Sequence, residues 1–187
     1  PWTAFNQQLR QRLSWMHRHD GPPWPPRDRE TLLQDTAWLA PTLLGCQSWR
    51  DVSPEMLTEA LWGDLSWSER QRLDHVLPER IAIPSGRQAK LRYDDEEVVL
   101  PVKLQEMFGG KQGPHVLEGE VPVTLELLSP AGRPLQRTRD LEGFWKGSYA
   151  DVRREMRGRY PKHPWPDDPI QAAPTAFTKR KQQQQQG

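Results

Sequence analysis

Nine cationic side chains lie between residues 133 and 162: Arg133, Arg137, Arg139, Lys146, Arg153, Arg154, Arg157, Arg159 and Lys162. Trp145, Tyr149, Tyr160 and Trp165 are interleaved with them. Guanidinium and ammonium groups contact phosphates and exposed aromatic faces stack on unpaired bases, so this mixture is the chemistry of single-stranded nucleic-acid binding. A core role competes for the aromatics. Trp145 and Tyr149 fall on the apolar stripe of a helical pattern, and Trp165 stands between two prolines, where clamping against the domain's own surface is the simpler use. The arginines and lysines are therefore the candidate binding residues.

Residues for catalysis are not assembled in any recognisable pattern. A phosphate-cradling loop ends in Gly-Lys-Ser/Thr after an earlier glycine. Gly109-Gly110-Lys111 lacks both that glycine and the hydroxyl, and reads as a helix stop and turn. There is no Asp-Glu-Ala-His stretch. His17, His19, His75, His115 and His163 are scattered, whereas structural zinc needs four convergent ligands. Cys46 has no second cysteine to pair with and reads as a small packing residue. Ser85-Gly86 and Ser129-Pro130 lie outside the nucleophile-elbow pattern, and Asp94-Asp95 and Asp167-Asp168 lie in turns or beside proline, where solvation explains them. The expectation is a chain with no catalytic or metal-ligating residues of its own.

The elements that must position the cations follow from hydrophobic period. Trp2, Phe5, Leu9, Leu13 and Met16 recur at helical spacing, and the Gly21-Pro22-Pro23-Trp24-Pro25-Pro26 link that follows is extended. Asp28 caps a second helix carrying Leu32, Leu33, Thr36 and Leu39, expected to stop before Pro41. Ser53-Pro54-Glu55 starts a third, and Ser66 with Glu69 forms a capping box for a fourth that runs to Leu77. After Pro78 the period shortens to two. Residues 89–93, 98–104, 121–127 and 135–138 read as strands, with Pro101 favouring an edge or bulge and residues 94–97 an acidic turn. Leu141, Trp145, Tyr149, Val152 and Met156 then define one long amphipathic helix. At about 100° per residue its flank gathers Lys146, Arg153 and Arg157, with Arg154 nearby.

The expected fold class is α+β: a small N-terminal helical bundle (residues 1–80), an antiparallel β-meander with a long C-terminal helix (81–169), and a basic, Gln-rich disordered tail (170–187). At 35% hydrophobic residues the core is modest, with nine Trp supplying much of its area. The formal net charge of +1 conceals an asymmetry. Residues 31–128 hold nine Lys and Arg against 16 Asp and Glu, while residues 129–187 hold 12 against six, so the C-terminal third can attract a polyanion. A lone cysteine and the lack of an apolar run of membrane-spanning length suit a reducing cytoplasm, with no membrane partner.

Two stretches carry a family resemblance. One runs from Leu127 through Ser129-Pro130-Ala131-Gly132-Arg133-Pro134 to Phe144-Trp145. The other runs from Val152 through Arg159-Tyr160-Pro161-Lys162-His163-Pro164-Trp165-Pro166 to Pro169. Together with Ile83-Pro84-Ser85-Gly86, Leu104-Gln105-Glu106-Met107-Phe108-Gly109 and, more loosely, Trp38-Leu39-Ala40-Pro41, they resemble the C-terminal region of HrpB-type bacterial helicases. The resemblance implies a parent of the DEAH/RHA superfamily 2 class that moves along RNA. Its ATP and magnesium would bind in motor domains outside this chain. It also implies an accessory region that packs on that motor, with the cationic surface extending the RNA path. The alternative is a protein-interaction or structural module without nucleic-acid contact, which would explain the tryptophans and the two proline-rich links.

Overall fold

The computed structural model describes residues 1–186, and the chain divides into two compact units. The first holds Pro1–Pro78 and Tyr93–Glu96, the second Glu79–Arg92 and the chain from Glu97 onward. Helices fill the first and a sheet with flanking helices the second, so the fold class is α+β as expected.

In the first unit every α-helix with a polar N-cap begins where a short side chain satisfies its free N–H groups. Thr3 and Asn6 bond reciprocally at α1 (Ala4–Asp20), and Asp28 accepts from Thr31 at α2 (Arg29–Gln34). A four-residue α3 (Ala40–Leu43) follows. Ser53 caps α4 (Pro54–Trp62), and Ser66 with Glu69 boxes α5 (Trp67–Val76). Leu9, Leu13 and Met16 of α1 are buried, and α1 packs on α4 and α5. Trp2 and Phe5, placed on the same stripe by spacing, stay 45% and 53% exposed. The second helix stops earlier than its spacing suggests. The Asp35 carboxylate accepts the Ala37 N–H, a local bond that competes with the helix, and Pro41 then sits in the first turn of α3 instead of ending a helix.

Two buried arginines close helices of this unit. Arg27, 8% exposed, donates to the Leu61 and Ala60 carbonyls at the end of α4. Arg12, 2% exposed, donates to the Leu77 carbonyl after α5 and pairs with Asp74. A cation at a helix C-terminus answers both the free carbonyls and the dipole. The acidic turn is also used. Gln8 exchanges two hydrogen bonds with the Tyr93 backbone, and the Trp15 indole donates to the Asp94 carbonyl, so residues 93–96 are laced to α1.

The second unit opens with a hairpin of β1 (Arg80–Ala82) and β2 (Gln88–Lys90); the two-residue β3 (Arg92–Tyr93) follows, with Arg92 in this unit and Tyr93 in the first. Its main sheet departs from the expected meander. In the strand order β3-β4-β7-β8, β4 (Val98–Lys103) runs parallel to β7 (Thr124–Leu128), and β7 pairs antiparallel with β8 (Pro134–Thr138). A parallel pair needs a long connection. Residues 104–123 supply it, with a 3-10 turn at Leu104–Met107 and a small hairpin of β5 (His115–Val116) and β6 (Val121–Pro122). Val121 therefore leaves the strand it seemed to start. Val98, Val99, Leu100 and Val102 are all buried, so β4 is covered on both faces.

The last helix is two helices. α6 (Leu141–Lys146) ends at Gly147, whose φ of −113° and ψ of −96° lie outside the helical region, and α7 (Tyr149–Arg159) begins afresh. Lys146 is consequently not on the flank of Arg153 and Arg157. The segment after residue 169, expected as a disordered tail, is tied to the unit before it ends. Thr175 is buried and its N–H donates to the Gln105 carbonyl, Gln105 Nε2 donates to the Phe177 carbonyl, and α8 (Lys179–Gln186) follows.

Candidate nucleic-acid interface

The outer face of α7 is built by stitching the proline-rich loop after it back along the helix. The Tyr149 hydroxyl donates to the Pro166 carbonyl at 2.7 Å, Arg153 Nε to the Trp165 carbonyl at 2.8 Å, and the Trp165 indole to the Tyr160 carbonyl at 2.9 Å. Behind them Trp145 donates its indole N–H to the Gly110 carbonyl, and its ring meets Tyr149 edge-on with centroids 5.3 Å apart. Trp145, Tyr149 and Trp165 are 6%, 2% and 6% exposed, so all three serve as a floor and none as an open stacking platform. Burial pushes the Tyr149 phenol up to about 12 despite the opposing Arg153 charge, so the hydroxyl keeps the proton it donates to the Pro166 carbonyl.

Two adjoining clefts lie over this floor. One, of about 450 Å³, is lined by Tyr149, Ala150, Arg153, Arg154, Arg157 and Asp167 beside Trp145. The other, of about 300 Å³, is lined by Arg153, Arg157, Pro161, Trp165 and Lys179, with no carboxylate among them. Arg153 and Arg157 belong to both. A shallow, cation-walled groove over buried aromatic rings suits an extended polyanion better than a compact substrate.

The nine cations singled out by sequence do not form one surface. Arg153, Arg154 and Arg157 converge on the clefts. Arg137 and Arg139 instead pair with Glu97 on the sheet, Arg139 also donating to Thr124. Arg137 holds the Glu97 carboxyl below its usual range, with Thr124 and Arg139 assisting. Lys146 bonds Glu142 within α6, which raises the ammonium's pKa. Arg159 pairs with Glu155, and Arg154 loosely with Asp151. Arg133 is exposed in the Ser129–Arg133 turn, away from either cleft lining. Among the described residues, Arg133, Arg157, Lys162 and Lys179 have no carboxylate within ion-pair distance.

Lys179 is the cleft-lining cation that sequence reasoning missed. The Lys179-Arg180-Lys181 run is visible in the sequence, where it falls within the expected disordered tail. Its backbone N–H donates to the Lys162 carbonyl, which places it beside Arg157. Thr175 and Phe177, spaced before it, were the available signal. The loop's His163 supports the same placement. Its Nδ1 accepts from Gln105 Nε2 at 3.1 Å, and burial together with Lys103 holds its pKa below the ordinary value. Among the described residues no group of three or more His, Cys, Asp or Glu is disposed to hold a metal ion, and no helix is long and apolar enough to cross a membrane.

Residues 38–169 match the family model for the HrpB-type "ATP-dependent helicase C-terminal" region. The chain is 48% identical over 185 residues to the ATP-dependent RNA helicase HrpB of Escherichia coli strain K12, covering 96% of this chain and 22% of that protein. It also resembles two solved structures. The E. coli DExH-box NTPase HrpB superposes with a TM-score of 0.82 at 47% identity, over 93% of this chain and 22% of that one. The E. coli DEAH/RHA helicase HrpB gives 0.67 at 44% identity, over 88% and 21%. The chain thus spans about a fifth of the length of the curated relative it matches.

Proposed function

The chain belongs to the HrpB C-terminal family of ATP-dependent helicases, and on that premise we propose that it is a non-catalytic accessory region whose α7 face holds single-stranded RNA. The observation that supports this most is the pair of clefts sharing Arg153 and Arg157, walled also by Arg154 and Lys179 and backed by buried rings. Nucleotide hydrolysis belongs to the motor portion of the parent, which binds ATP and magnesium and drives directed movement in the cytoplasm. This region adds phosphate contacts along the strand's route. The binding is sequence-tolerant, because its cations reach phosphates and its aromatic faces are covered.

Ultraviolet cross-linking of a uridine-rich single strand to the purified chain tests the placement. Cross-linked peptides should concentrate in residues 149–181. Cross-links confined to residues 1–78 would contradict it.

A second reading concerns the first unit, where Leu33, Trp49 and Trp2 are 71%, 63% and 45% exposed around an apolar cleft of about 700 Å³. Exposed apolar area of this kind marks a protein contact. The parent's motor is the occupant favoured by the chain's being a fifth of its relative. Amide exchange of residues 31–33 and 48–52 should slow in the full-length helicase relative to this chain alone.

A further inference from the structure

Arg153 is the pivot of both clefts, and its surroundings specify a ligand more closely than charge alone. Its Nε is fixed on the Trp165 carbonyl at 2.8 Å, while a terminal nitrogen lies 2.7 Å from Asp167 Oδ1. The two partners differ sharply in burial. The Arg153 side chain is 21% exposed, whereas that of Asp167 is 91% exposed, and among the described residues Asp167 makes no other ion pair or hydrogen bond. A guanidinium held rigid by the fold, with one edge given to a nearly free carboxylate, is an oxyanion site occupied by the chain's own anion.

We propose that Arg153 and Arg157, which line both clefts, form a subsite for one phosphate group, with the Asp167 carboxylate of the larger cleft as its resident stand-in on Arg153 and Lys179 of the smaller cleft adding charge beside it. The proposal rests on the RNA reading above and adds where a phosphate is gripped and what it must displace. Phosphate entry moves Asp167 off Arg153. The guanidinium keeps its Trp165 bond throughout, so little ordering is lost in the exchange. The Tyr149–Pro166 bond pins the backbone next to Asp167, which leaves the carboxylate to swing by its side chain. Arg157 and Lys179, which have no carboxylate of their own among the described residues, complete the charge around the incoming group.

The test compares the wild-type chain with Asp167→Asn and Lys179→Gln, using ten-nucleotide single strands with a 5′-hydroxyl or a 5′-phosphate. Asn keeps the volume and an oxygen acceptor for Arg153 but removes the competing charge. Asp167→Asn should tighten binding about twofold to fivefold, the scale of one exposed ion pair, and Lys179→Gln should weaken it by a similar factor. Tightening on both strands identifies an internal backbone phosphate, and tightening only on the phosphorylated strand a terminal one. If wild type binds RNA but Asp167→Asn binds no more tightly, the stand-in is overturned while the RNA reading survives. Inorganic phosphate probes the subsite without RNA. Its titration should shift the Arg153 Nε–H resonance, saturating at lower concentration in Asp167→Asn. Failure of wild type to bind either strand overturns the RNA reading, and an unmoved resonance overturns the subsite.

Discussion

Tyr149 and His163 show how single side chains hold the α7 face in shape. Replacing Tyr149 with Phe leaves the ring in its cluster but strips the Pro166 carbonyl of its donor. The loss should be about 1 kcal/mol, read as a lower urea midpoint. His163 makes the same face pH-sensitive. Its Nδ1 accepts a hydrogen bond from Gln105, and its pKa is lowered in the folded chain, so the folded state resists the proton. The stability it contributes is complete above the ordinary imidazole value of about 6.5 and is lost as pH falls from there toward the folded-state value. The chain should therefore have a lower urea midpoint at pH 5 than at pH 7.5. His163→Asn should flatten that interval. Carboxylates such as Glu97 and Asp28, also held below their usual values, act in a separate and more acid window, below about pH 4.5.

At the scale of elements, the caps were legible and the interruptions were not. Thr3 aside, the helix starts at Asp28, Ser53 and Ser66 follow from residue types a few positions apart, and all three hold. The break at Gly147 was hidden, because Leu141, Trp145, Tyr149, Val152 and Met156 keep helical spacing across it. Spacing reports which residues face the core and is silent about one backbone turned aside. That single break separates Lys146 from Arg153. The parallel pairing of β4 with β7 was hidden for a related reason, since alternation defines a strand but not its neighbour. Arg27 was invisible too, because nothing local shows that a lone arginine will close a helix more than 30 residues away. Its removal gives a sharp test. Arg27→Met leaves the Leu61 and Ala60 carbonyls buried without a donor, and should cost about 2 to 3 kcal/mol in urea unfolding. Gly63→Ala should fail nearby, because φ is +59° and its methyl group would lie 3.1 Å from Arg27 Nη2.

For the whole molecule, the sequence separated cations from chemistry but could not sort the cations among themselves. Acidic partners, some distant in the chain and some one helical turn away, decide that sorting. Glu97 takes Arg137 and Arg139, Glu142 takes Lys146, and what remains around α7 is Arg153, Arg154, Arg157 and the late-arriving Lys179. The proposed division of labour gives RNA the second unit, and assigns the exposed apolar side chains of the first unit to the motor. The claim that joins these scales is that the α7 face binds RNA through phosphates. Fluorescence anisotropy of a single-stranded RNA over a salt series tests it most directly, comparing wild type with Arg154→Glu/Arg157→Glu/Lys179→Glu. Arg153 is left in place because its Trp165 bond is structural. Wild type should bind with a log–log salt slope of roughly −2, as about three phosphate contacts require, and the triple variant should lose both affinity and slope while keeping its unfolding midpoint. Equal affinity and equal slope in the two proteins would contradict the account.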